Sequence, residues 1–215
     1  MMQQSKKVRY IIVLFLLGVS VVALVGWNIC VGTVRIPLAD IFASIRGEKI
    51  ENSRILWDIR MPRTLAAMIL GGALALAGYL LQTFFHNPIA GPFVLGISSG
   101  AKMVVALVMV FLMGQAVKIT SWALIAAAFV GAMISMGFVL LMSRRVHNMS
   151  MLVVSGVMIG YICSAITELV VTFASDAEIV NLHNWSRGSF SGMTWENVAV
   201  MTGVVAAVSY THLTL

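Results

Sequence analysis

Charged side chains are scarce in this sequence. Only 10% of its 215 residues are Asp, Glu, Lys or Arg, against about 25% in a soluble domain. A water-facing surface cannot be built from so few charges, which excludes an ordinary soluble domain. Cysteine is also nearly absent. Cys30 and Cys163 sit at or inside apolar runs, and neither belongs to a CxxC or Cys/His cluster. That excludes a disulfide framework or a zinc site and leaves two small packing residues. No GxxxxGK[ST] loop occurs, so the chain has no phosphate-binding loop of its own. The net charge of +6 comes without a basic stripe interleaved with aromatics, so nucleic acid is not an expected partner.

What the chain has instead is apolar length. Hydrophobic residues make up 60% of it and the mean hydropathy is +0.98. A helix needs about 20 mostly apolar residues to cross a bilayer. Runs of that kind predict an all-α, polytopic transmembrane bundle of about six spans, at 10–29, 64–85, 93–113, 122–142, 151–173 and 195–208. The first run is too long for a signal-peptide core and no A-x-A site follows it, so it is read as a retained helix. Between spans one and two, Leu38, Ile41, Phe42 and Ile45 follow helical spacing behind Pro37. They predict a short amphipathic helix at 38–45 lying on the membrane surface. Pro62 suits the first turn of span two. Trp122 and Trp195 mark span ends.

Orientation follows from Lys6, Lys7 and Arg9 before span one, which argue for a cytoplasmic N-terminus. Arg144 and Arg145 then fall inside as well. The same arrangement leaves Arg35, Arg46, Lys49, Arg54, Arg60, Arg63, Lys118 and Arg187 in outer loops, so the bare count of basic residues opposes it. A docking role for outer basic residues reconciles the two.

Two stretches carry more than hydrophobicity. Ala67, Gly71, Ala75, Gly78 and then Gln82 form one stripe along span two, suited to close helix approach, with Gln82 as a polar group near the inner side. After it, residues 86–101 hold Pro88, Pro92, Gly91, Gly96 and Gly100. Irregular backbone at membrane depth is tolerated only inside protein or beside a watery cavity, so this is a transporter-like feature. Glu168 interrupts span five. An ionisable group there is a functional candidate facing the pathway, pairing with a neighbour or snorkelling to the surface.

These residues also carry a family resemblance. Arg60-Met61-Pro62-Arg63, then Gly78, Gln82, Asn87-Pro88-Ile89-Ala90, Pro92 and Leu95-Gly96-Ile97-Ser98-Ser99-Gly100-Ala101 resemble the FecCD family. These are permeases of ABC importers for iron-siderophores, haem and vitamin B12. Leu152 to Gly156 resembles the start of that family's fifth helix. Trp185 to Gly192, followed by Trp195, resembles the segment before its sixth. The resemblance runs from Tyr10 to about Val208.

The resemblance implies a membrane-spanning transport subunit and not an enzyme, with no cofactor and no metal bound by this chain. It implies a second permease copy, cytosolic ATPase subunits, an extracytoplasmic substrate-binding protein and surrounding membrane lipid as partners. The setting is the bacterial cytoplasmic membrane. Arg60 and Arg63 match the arginines that meet acidic residues of the binding protein. Asn87, Pro88 and Ile89 match an inner gate loop, and Asn148, Met149 and Ser150 fall where a second gate segment would lie. Iron-siderophore is the first expected cargo, haem the second, vitamin B12 the third. Family members continue past helix six to about ten helices. The short sixth span and the change of character at 209–215 are therefore read as a fragment with a foreign tail.

Three other readings fit the sequence less well. Gly96-Ile97-Ser98-Ser99-Gly100 fits G-x-S-x-G, but a hydrolase of that type needs a strand–turn–helix context. His86, His147, His183 and His212 all lie in loops or the tail, which disfavours an intramembrane serine hydrolase. A scaffold would not need the broken 87–92 segment. An ion-driven secondary transporter would bring more intramembrane acids than Glu168.

Overall fold

In a computed structural model the chain is helical throughout, with no strand among the described residues. The structure describes residues 2–48, 50–113, 120–146 and 148–214. Lys49, Lys118 and His147 lie outside the described residues, as does the side chain of Lys6. The helices are α1 (Met2–Cys30), α2 (Leu38–Ile45), α3 (Met61–Phe85), α4 (Ile97–Met113), α5 (Ser121–Ser143), α6 (Met149–Val171), α7 (Asp176–Arg187) and α8 (Trp195–Thr214). A π-helical turn, Ile55–Arg60, leads into α3.

All six expected spans are helices. Among the described residues, four stretches are long and apolar enough to cross a membrane: Lys7–Cys30, Ile55–Phe85, Ser121–Ser143 and Met149–Val171. The third expected span is a shorter helix, because α4 starts at Ile97 and not at Phe93. Its start is delayed by a turn that brings Gly96 to φ +73°, a conformation glycine adopts without strain. The last expected span continues as α8 to Thr214, past Val208. One element had no counterpart in the apolar pattern: α7 is amphipathic and polar.

The chain forms two compact units, residues 1–72 with 190–215, and residues 73–189. In the first, Ile29, Ile36 and Leu56 make a small core, with Ile41 of α2 packed against it. Leu38, Phe42 and Ile45 stay exposed, which is the face an interfacial helix lays on lipid. The π turn has a local cause. Met61 donates back to Leu56 O, five residues away, and Pro62 has no N–H to give. The Trp57 carbonyl is thereby released from the helix ladder and accepts Trp195 Nε1 at 2.9 Å.

The second unit is built around α4. Small residues let backbones touch there. A Cβ on Gly131 would stand 2.1 Å from Gly100 O, and one on Gly96 would stand 2.8 Å from Gly156 O. On α3 a Cβ on Gly71 or Gly78 meets nothing within 4 Å among the described residues. At one end, Phe85, Ala90, Leu95, Val139, Leu152 and Val153 form a core. At the other, Val105, Ala106 and Met109 of α4 pack with Ala127, Val170 and Leu182.

Candidate functional site

The arginine pair of the first unit is split by its surroundings. Arg60 closes the π turn and is buried. Its guanidinium donates to the carbonyls of Ile29 and Val34. Ile29 belongs to the last turn of α1, where carbonyls lack helical partners, so Arg60 acts as a charged cap on that helix. Arg63, one turn further along, is only half-buried. Its Nη2 donates to Ser191 O at 2.7 Å, while its Nε is buried with no hydrogen-bond partner. Both arginines line a cavity of about 530 Å³ together with Asn28 and Phe190. The motif therefore holds one arginine committed to the chain itself and one with donor capacity left.

The expected gate residues of the second unit gather at one end of it. α3 ends at Phe85, and His86 adopts φ +50°. Asn87 Oδ1 then accepts Ile89 N–H at 3.0 Å, and Ala90 N–H donates to Asn87 O at 3.2 Å. This tight turn pushes Pro88 and Ile89 outward while Ala90 and Leu95 anchor in the core. The same core contains Leu152 and Val153 of the first turn of α6. Asn148 caps that helix, its Oδ1 accepting Ser150 N–H at 2.9 Å, as an N-cap side chain does. Met149 and Ser150 are exposed beside it. Gln82 is exposed on the last turns of α3, and its carbonyl accepts Asn87 N–H.

Glu168 lies elsewhere, and it is not alone. It lines a cavity of about 610 Å³ with Lys102 of α4 and Arg187, the last residue of α7. Lys102 is the one basic residue of fourteen that the span reading passed over. It was absorbed into an apolar run, although a lysine inside such a run is itself a signal. The position of the cavity follows from packing. Gly100 abuts Gly131, the eleventh of the 23 residues of α5. Lys102, two residues on, is therefore about 3 Å from the middle of that span at 1.5 Å per residue. Gly96 meets Gly156 and Gly160, and Ser99 Oγ lies 3.5 Å from Ser164 Oγ, so α4 and α6 run parallel. Glu168 is one turn past Ser164 and Lys102 nearly one turn past Ser99, which sets the two charges at one level. α6 stops at Val171, and α7 continues the wall through Leu182 and Trp185 packed beside α4.

A sequence model described as the FecCD transport family matches residues 12–215. The chain belongs to the FecCD transport family. Vitamin B12 import system permease proteins BtuC from Shigella boydii serotype 18 and Salmonella newport are similar to it at 35% and 36% identity. In each case the match is over 203 residues, 94% of this chain and 59% of the relative. The chain thus spans about three-fifths the length of these relatives. A solved structure described as an inward-facing metal-chelate type ABC transporter superposes with a TM-score of 0.75. It has 22% identity and covers 94% of this chain and 61% of that one; it shows that the fold is shared. The FecCD chain is a multi-pass membrane protein.

Proposed function

We propose that this FecCD chain is the permease subunit of an ABC importer that carries a metal chelate into the cytoplasm, a transport component and not an enzyme. The observation that supports it most is the family match over residues 12–215. The broken backbone at residues 86–96, with its exposed Pro88-Ile89 tip, agrees with it as a gate. In this reading Asn87, Pro88 and Ile89 form one gate lip and Asn148, Met149 and Ser150 the other, with Gln82 behind them. Both lips rest on one core, so a shift of Leu95 against Leu152 moves them together.

Arg63 is the residue that meets a carboxylate of an extracytoplasmic binding protein, since its fork has capacity left. Arg60 holds the end of α1 in place beside it. A second permease copy and cytosolic ATPases complete the assembly in the bacterial cytoplasmic membrane, with the N-terminus inside and the span ends in lipid. For cargo, an iron chelate stands first from the sequence, while the relatives above are named for vitamin B12.

Tagged protein purified from its native membrane tests the assembly. The expected result is co-purification of an ATP-binding-cassette subunit, with vanadate-sensitive ATP hydrolysis stimulated by the loaded binding protein. Arg63→Glu should abolish that stimulation and leave the basal rate unchanged. Absence of any ATPase subunit from the complex contradicts the reading.

A further inference from the structure

Three charged side chains from three helices line one cavity in the second unit, beside the middle of α5, the last turn of α6 and the end of α7. Among the described residues, no side-chain hydrogen bond or ion pair engages the Lys102 ammonium, the Glu168 carboxylate or the Arg187 guanidinium. Charges at membrane depth are costly unless paired or hydrated, and their persistence points to a function. The cavity holds two cations against one anion. Ser99, Ser164 and Trp185 also line it, and the two serine hydroxyls lie 3.5 Å apart. Cations flanked by hydroxyl donors suit an anionic, oxygen-rich group, because hydrogen bonds to charged acceptors are the strong ones. The wall breaks between α6 and α7 beside this cavity, and discontinuous helices of that kind flank substrate sites in transporters.

We propose that this cavity is a recognition subsite for the carboxylate groups of an anionic metal chelate, with Lys102 and Arg187 as counter-ions and Glu168 restraining the net attraction. The proposal rests on the importer reading and narrows it: an anionic iron chelate is favoured over a neutral cargo. Glu168 has a defined part. Its negative charge in the same cavity opposes an incoming carboxylate and weakens binding, so that cargo can leave again.

The test is equilibrium binding of radio-iron ferric citrate to the full transporter in nanodiscs, alongside a neutral ferric trihydroxamate. ATP-driven uptake of both is measured in parallel. Lys102→Gln should weaken ferric citrate binding about tenfold and spare the trihydroxamate, while Lys102→Arg retains binding. Glu168→Gln should tighten ferric citrate binding several-fold, a gain that misfolding cannot produce. If Lys102→Gln and Glu168→Gln both weaken binding and the double variant restores it, the two form only a structural ion pair and the subsite is refuted. Equal losses for both chelates, or wild-type protein that binds only the neutral one, also refute it. Binding that follows the predicted signs without ATP-driven uptake would instead overturn the importer reading and leave the subsite standing.

Discussion

Gly131 and Gly100 leave no room for a side chain between α5 and α4. A Cβ on Gly131 would stand 2.1 Å from a backbone oxygen, which cannot swing aside as a side chain can. Overpacking of this kind costs about 1–3 kcal/mol or more. Gly131→Val should therefore lower the unfolding midpoint in detergent by several degrees. Gly78→Ala, where the space is open, should leave it unchanged or raise it slightly. Arg60 makes a second prediction at this scale. Arg60→Met removes the donors that satisfy Ile29 O and Val34 O. Leaving the buried Ile29 acceptor without its donor costs about 1–3 kcal/mol, so thermal unfolding should show a loss of that order. The sequence singled out Arg60 by its motif, but nothing local says that its guanidinium turns inward; that depends on where α1 ends.

Among the elements, α7 is the one whose existence depends most on local signals. It is polar overall, so its apolar contribution reduces to Leu182 and Trp185 on one side. Its start is fixed by a capping box: Ser175 accepts from the N3 backbone and Glu178 Oε2 accepts Ser175 N–H at 2.8 Å. Ser175→Ala should cost about 1 kcal/mol of helix stability. Amide hydrogen exchange should show faster exchange confined to residues 176–187. The S-x-x-E signature was present to be read, but apolar run length, which finds membrane spans, passes over a half-polar helix. The same bias hid Lys102 and placed the start of span three four residues early. In contrast, α1, α5 and α6 were legible to within a turn or two at most ends, and α2 matched at both, because unbroken apolar length and helical spacing have few competing explanations. The stripe on α3 was legible as a pattern, and nothing among the described residues lies within 4 Å of a Cβ on Gly71 or Gly78. Close approach falls instead on Gly96, Gly100, Gly131 and Gly156, whose partners lie up to about 60 residues away.

On the scale of the whole molecule, membership of the FecCD family and a helical bundle with a broken segment beside its core support the proposed account, in which this chain is a permease driven by ATP hydrolysed elsewhere. The broken segment and the charged cavity are both features that an ion-driven transporter would share. Uptake of radio-labelled ferric chelate into vesicles holding the permease with its partner subunits separates the two most directly. The account predicts uptake that requires ATP and the loaded binding protein and that persists when ionophores collapse all ion gradients. Uptake that proceeds without ATP and stops with the gradients would contradict it.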